Sequence, residues 1–175
     1  MFTQSVKKVE INSAVDQAKR YIIHGRYQDA NRLVYDTMTK NIGPGCFEEQ
    51  SIELLPAFFV LAEANICIGG SRLKKAENFL VSAFWNLLKS TSDENEKKGD
   101  DGAVTEKDIE KYRAGLEKTF GRFFLAQNSP DAHSQALEHL TKGIYLECME
   151  HGPESYFMCS SYYYMGELFK KEGSF

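Results

Sequence analysis

The chain has 175 residues, of which 42% are hydrophobic, and its 21 basic and 25 acidic residues give a net charge of −4. This size suits one compact domain or one short repeat array, and the absence of a basic stripe argues against nucleic-acid binding. The N-terminus has no apolar signal-peptide core, and no apolar stretch approaches the roughly 20 residues that span a bilayer. We therefore expect a cytoplasmic protein that binds neither nucleic acid nor membrane.

Apolar residues recur every three or four positions, which predicts helices rather than strands. In chain order, the first four expected helices lie around residues 11–22, 30–38, 55–66 and 73–88. A fifth helix should start near residue 105 and a sixth near residue 130, and a seventh should cover 153–171. Thr105 and Asp108 resemble a capping box. Ser129 followed by Pro130 is typical of a helix start.

Residues 92–104 differ in character from the rest because they carry many acidic residues and two glycines. Such a segment has little to bury, so we predict an acidic, flexible insertion. It lacks the regular ligand spacing of an EF-hand calcium loop. The insertion would separate helix pairs 1 and 2, in residues 1–91, from helix pair 3 and the first helix of pair 4, in residues 105–175.

A pattern of small residues repeats along these helices. The first and last helices each carry a small residue, a ring three positions later and a glycine seven positions later. A small residue lets a second helix cross closely, and a glycine permits a tight turn. The signature comprises Ala18, Tyr21, Gly25, Ala30, Ala62, Ala76, Gly121, Phe124, Ala136, Gly166, Phe169 and Gly173.

This signature is that of tetratricopeptide (TPR) repeats, stretched beyond their usual 34 residues. It predicts an all-α fold of antiparallel helix pairs stacked as a TPR-like right-handed solenoid, with the last repeat incomplete. The alternative is an irregular helical bundle in which the small residues recur by chance. A first helix without its second leaves an apolar face uncovered, so we expect another protein, or a further part of a longer chain, to cover it.

Three successive tyrosines, at 162–164, cannot all face one core, because neighbouring helical residues point about 100° apart. Exposed tyrosine is favoured at interfaces. The predicted partner-binding residues are Tyr156, Phe157, Tyr162, Tyr163 and Phe169.

No catalytic, cofactor or metal site is predicted. The cysteines at 46, 67, 148 and 159 are scattered and form no C-x-x-C pair, whereas zinc ligands cluster. We expect them to be reduced. The four histidines lack zinc-protease spacing, and Ser160 and Ser161 lie outside a nucleophile elbow.

Residues 48–91 resemble the TPR region of the MYND-zinc-finger, TPR-containing proteins of motile cilia. The matching residues are Ser51, Glu53, Leu54, Pro56, Ala57, Leu61, Ala62, Glu63 and Ala64, followed by Ala76, Glu77, Leu80, Ala83, Trp85, Leu88, Lys89, Ser90 and Thr91. The chain departs from the family in having no dense Cys/His cluster, so no zinc finger carries over, and in being shorter.

The resemblance implies a non-enzymatic scaffold of the cilium or flagellum. Its place would be the cytoskeleton of the axoneme, where this family is associated with inner-arm dynein and a second TPR protein. One alternative is a regulatory helical-repeat module of a longer MYND/SET-type methyltransferase, although this chain has no trace of a SET domain. Another is a general TPR co-chaperone, for which Lys8, Asn12 and Asn65 form no convincing clamp.

Overall fold

The computed structural model describes residues 2–44, 46–93 and 105–173, and it is all-helical. Seven α-helices occur in these ranges: α1 (Phe2–Ile23), α2 (Tyr27–Lys40), α3 (Leu55–Ile68), α4 (Leu73–Asp93), α5 (Glu106–Gln127), α6 (Pro130–His151) and α7 (Cys159–Lys171). The described residues contain no β-strand, only an isolated bridge between Ile42 and Phe47. The predicted all-α class is confirmed. The chain divides into two compact units, residues 1–98 and 99–175.

In the first unit each helix packs against the next, and α1 also contacts α3. The small residues of the predicted signature lie inside this packing: Ala18, Ala30, Ala62 and Ala76 are fully buried. Because an alanine side chain is short, it allows neighbouring helix axes to approach closely. Large apolar side chains, among them Ile11, Leu55, Leu61 and Leu80, fill the remaining space.

The predicted turn after α1 is made by Gly25. This residue has a φ of 71°, in the left-handed region where a side chain would be strained. The turn is closed by the Arg26 amide, which donates to the carbonyl of Tyr21 at 2.8 Å. The guanidinium of Arg26 also lies 4.5 Å from the centroid of the Tyr21 ring, so the ring of the signature packs against the turn that follows it.

The connection between α2 and α3 is ordered by its own hydrogen bonds. The Phe47 amide donates to the carbonyl of Asn41 at 3.0 Å, and the Gly43 amide donates to the carbonyl of Phe47 at 3.2 Å. Asn41 and Phe47 are both buried. The connection therefore adds to the core of the first unit, and it ends in a 3₁₀ turn over Ile52–Leu54.

Helix α4 extends to Asp93, so the first two residues of the predicted insertion, 92 and 93, belong to the helix. Serine and aspartate do not stop a helix as glycine or proline does, and helix boundaries commonly shift by one or two residues. The rest of the predicted insertion, residues 94–104, lies outside the described residues.

Both predicted helix starts in the second unit are confirmed. The Thr105 side chain accepts from the Asp108 amide, while the Asp108 carboxylate accepts from the Thr105 amide, each at 3.2 Å. This reciprocal capping box satisfies two amides that α5 itself cannot pair. At the start of α6, the Ser129 hydroxyl accepts from the Ala132 amide at 3.3 Å, and Pro130 occupies the first turn.

Helices α5 and α6 cross at glycines. A Cβ atom on Gly121 would lie only 2.6 Å from Cγ of Leu140, and one on Gly143 would lie 3.2 Å from the backbone nitrogen of Lys118. Carbon atoms in contact prefer separations of about 3.5–4.0 Å. The absence of a side chain at Gly121 is therefore what permits this crossing, as its place in the signature predicts.

The seventh helix is shorter than predicted. Residues 156–158 form a 3₁₀ turn, and α7 begins at Cys159 rather than near 153. Two local features explain the difference. Gly152 has a φ of 81°, and the Ser155 hydroxyl accepts from the Phe157 amide at 3.4 Å, which caps the short turn instead of a longer α-helix.

A buried carboxylate joins the three helices of the second unit. Glu147 of α6 lies 2.5 Å from Nζ of Lys118 on α5 and accepts a hydrogen bond from the Ser161 hydroxyl on α7. Glu147 and Ser161 are both buried. Because a buried charge without partners is costly, this arrangement favours the packing of α7 on α5 and α6.

Candidate protein-binding surfaces

Four of the five predicted partner-binding residues are exposed in the second unit: Tyr156, Phe157, Tyr162 and Tyr163. We call these four side chains the aromatic edge. Tyr156 is the most accessible, at 75% of its surface, followed by Tyr163 at 61%. The fifth residue, Phe169, is half-buried.

The rings of the aromatic edge are held by specific contacts. The centroid of Phe157 lies 4.5 Å from that of His151 and 4.0 Å from that of Tyr156. The Tyr162 hydroxyl donates to the carbonyl of Pro153 at 3.0 Å and lies 3.8 Å from Sγ of Cys148. The hydrogen bond with the Cys148 thiol raises the pKa of Tyr162 above its ordinary value. The ring of Tyr163 lies 5.4 Å from that of Tyr164, centroid to centroid, so each exposed ring has a neighbouring group in contact with it.

The run of three tyrosines diverges as predicted. Tyr162 and Tyr163 are exposed, whereas Tyr164 packs against the buried cluster formed by Leu125, Ala136, Leu140 and Leu168. The guanidinium of Arg122 lies 4.5 Å from the centroid of the Tyr164 ring, close enough for a cation–π interaction. One tyrosine therefore anchors α7, and its two neighbours face solvent.

Gly166, the small residue of the last predicted repeat, is exposed, and no atom lies within 4 Å of the position that a Cβ would take. Its signature partner Gly173 has a φ of 69° and follows the end of α7, as the turn position of the pattern requires. Within the described residues, the outer face of α7 at Gly166 therefore has room for a closely crossing helix.

The first unit contains a groove that the sequence analysis did not predict. It is lined by α2, by the α2–α3 connection, by Phe58 of α3 and by α4, and it encloses about 590 Å³. We call it the α2–α4 groove. The exposed rings of Tyr35 and Trp85 lie on its two helical sides. Trp85 is the only tryptophan in the chain.

Of the α4 residues that line the groove, Trp85 alone belongs to an exposed apolar stripe that is visible in the sequence. The exposed residues Val81, Phe84, Trp85 and Leu88 are spaced as i, i+3, i+4 and i+7, which marks one face of a helix. A second, buried face carries Ala76, Leu80, Ala83 and Leu87. Leu88, with 44% of its surface exposed, belongs to the first of these faces. An α-helix with apolar residues on two faces exposes one of them unless something covers it.

Among the described residues, no group of three His, Cys, Asp or Glu side chains is arranged to hold a metal ion. His139 contacts neighbouring side chains: its Nδ1 lies 2.7 Å from Oε2 of Glu117, and its ring stacks on Phe120 and Phe124. The four cysteines are free thiols. No helix in the described ranges is long and apolar enough to cross a membrane.

No protein-family model matches the chain, and no solved structure matches it. The class of protein that the structure defines is therefore an all-helical protein of two compact units.

Proposed function

We propose that this chain is a non-enzymatic scaffold that binds other proteins through helix pairs arranged as a TPR-like solenoid. The observation that carries the proposal is the aromatic edge, where Tyr156, Phe157, Tyr162 and Tyr163 are held by local contacts yet exposed. Monomeric proteins rarely expose large contiguous apolar surface without a use for it, and aromatic residues dominate the energetics of protein interfaces.

The helix packing is consistent with this class. Fully buried alanines at the signature positions of the first unit, and Gly121 at the crossing of α5 and α6, occupy the places that paired helices need. The open face of α7 at Gly166 has space for a further helix. In a solenoid, each helix pair contacts its neighbours and a terminal face needs a cover. A partner protein that covers α7 would contact the aromatic edge as well.

The location that we propose is the axoneme of the cilium or flagellum, near inner-arm dynein, with axonemal subunits or a second TPR protein as partners. This part of the proposal is supported by the resemblance of residues 48–91 alone. The block spans the α2–α3 connection, α3 and most of α4, so the residues that carry the resemblance form one helix pair of the first unit.

The test is to express the tagged chain in ciliated cells and to fractionate their axonemes. We expect the chain to remain with the demembranated axoneme and to be released with the inner-arm dyneins by high salt. The double variant Tyr156→Ser/Tyr163→Ser should lose this association, because it removes the two most exposed rings of the aromatic edge.

A matched control is Val9→Ser/Ile23→Ser, which removes two comparably exposed apolar side chains from α1 in the first unit. This control should behave like the unmodified chain. Absence of the unmodified chain from axonemes would rule out the ciliary location. Equal retention of both double variants would rule out the aromatic edge as the binding surface.

A further inference from the structure

The α2–α4 groove has the dimensions of a binding site. Its volume of about 590 Å³ lies within the range of about 300–1,000 Å³ typical of ligand sites. Trp85 has 59% of its surface exposed on one side of it, and Tyr35 is exposed on the other. Two large rings facing solvent offer apolar surface that a partner can cover.

The groove is formed before any partner binds. Asn86 of α4 is buried, and its Nδ2 donates to the carbonyls of Glu49 at 3.2 Å and of Ser51 at 3.1 Å. These bonds fasten the α2–α3 connection to α4. The Lys89 ammonium adds a third link by donating to Oε1 of Gln50 at 3.1 Å. A preformed site binds more tightly because less conformational freedom is lost on binding.

The charge of the groove is one-sided. Glu49 is the only charged residue among the described residues that line it, and no described cation forms an ion pair with this carboxylate. The neighbouring Glu48 is different, since its carboxylate lies 3.7 Å from Nζ of Lys89. Aromatic rings carry negative charge on their faces and attract cations. The rings and Glu49 therefore favour a positively charged group over an anion.

The geometry points to a partner for this groove: a peptide segment of another protein that presents an arginine beside an apolar side chain. The planar guanidinium stacks on an aromatic face and pairs with a carboxylate at its edge. In this groove it lies against Trp85 or Tyr35 and pairs with Glu49, while the apolar neighbour covers the rings. This surface belongs to the first unit, whereas the aromatic edge belongs to the second, so it goes beyond the proposed function.

The single tryptophan makes a direct test possible, because Trp85 is the only indole in the chain. A capped hexapeptide that alternates leucine and arginine is titrated into the full chain while Trp85 emission and calorimetric heat are recorded. Two further peptides carry glutamate in place of arginine, or serine in place of leucine. We expect the leucine–arginine peptide to bind at least about tenfold more tightly than either of the others.

Substitutions of residues that line the groove test whether the peptide binds there. Glu49→Gln and Tyr35→Ala should each weaken the leucine–arginine peptide about three- to tenfold. Their matched controls are Glu48→Gln, one residue away but outside the groove lining, and Ile23→Ala, an exposed apolar residue of α1 that does not line the groove. Both controls should stay within about twofold of the unmodified chain.

Three results would overturn the inference. These are no heat and no change of emission with the leucine–arginine peptide, equally tight binding of the glutamate peptide, or equal weakening by Glu48→Gln and Glu49→Gln. The last result would mean that the peptide is attracted by the general negative charge of the chain. Circular dichroism of each variant verifies that the helices are intact.

Discussion

Gly121 and Gly166 hold the same place in the small-residue signature, but their surroundings are opposite. At Gly121 a side chain would collide with Leu140 of α6, whereas at Gly166 a Cβ would meet no atom of another described element within 4 Å. The two regions, the crossing of α5 with α6 and the outer face of α7, show that the same position of the pattern can be closely packed or open. The pattern does not specify whether a neighbouring helix is present.

The largest difference in stability between these two regions is expected when each glycine is replaced by valine. Gly121→Val places branched carbons where Leu140 and its backbone already lie, so overpacking should lower the free energy of unfolding of the second unit by about 3 kcal/mol. Urea denaturation followed by circular dichroism measures this change, and hydrogen exchange of α5 and α6 assigns it to that unit. Gly166→Val is the control and should change the free energy by less than about 0.5 kcal/mol. Equal losses at both positions would contradict the difference in packing.

A loss of stability of intermediate size is expected when the Glu147 carboxylate, which contacts both α5 and α7, is replaced by an amide. Glu147→Gln leaves the Lys118 ammonium without its negative partner, and a hydrogen bond between charged groups contributes about 1.5–3 kcal/mol. We expect a loss near 2 kcal/mol in urea denaturation. Removal of both charges in Lys118→Met/Glu147→Gln should cost less than the sum of the single changes.

The control for this prediction is Glu138→Gln, which breaks the exposed pair of Glu138 and Lys142 on the same helix. Exposed ion pairs contribute little, so the unfolding midpoint should stay where it is. Additive single changes at 118 and 147 would show that the two side chains do not interact.

The smallest effect has the opposite sign. Gly166→Ala should raise the stability of the second unit by about 0.5–1 kcal/mol, because alanine has the higher helix propensity and the site has room for a methyl group. A thermal melt shows this as a higher midpoint. A lower midpoint would mean that the face at Gly166 is tightly packed in solution.

The features that the sequence predicts correctly are those set by groups that lie close together in the chain. Thr105 with Asp108 and Ser129 with Pro130 mark helix starts through groups within three residues of one another, and both starts are confirmed. The 3₁₀ turn over Tyr156–Met158 was missed because Tyr156 and Phe157 continue the apolar periodicity of α7, which hides the short turn capped by Ser155. The run at 162–164 was resolved because successive helical residues diverge: Tyr162 and Tyr163, named as partner-binding residues, are exposed, and Tyr164 is half-buried. The contact that Tyr164 makes with Arg122, 42 residues earlier, could not be predicted from the sequence.

The α2–α4 groove could not be predicted from the sequence, for a different reason. It depends on Asn86, whose partners lie 37 and 35 residues earlier in the chain. Nothing near Asn86 indicates that this side chain will be buried against the carbonyls of a connecting segment. The second apolar stripe of α4 was visible in the sequence, but its exposure became evident only when the buried face was known.

The tight approach at Gly121 also has a consequence for the divergence of this protein over time. Leu140 fills the space that a side chain at 121 would take, so neither position can accept a larger residue while the other is unchanged. Substitutions there become acceptable in pairs, with growth on one helix matched by shrinkage on the other. Gly166 has no such dependence, and its codon is free to drift to alanine or serine alone. Among related sequences, position 121 should therefore vary only together with position 140, whereas position 166 should vary independently.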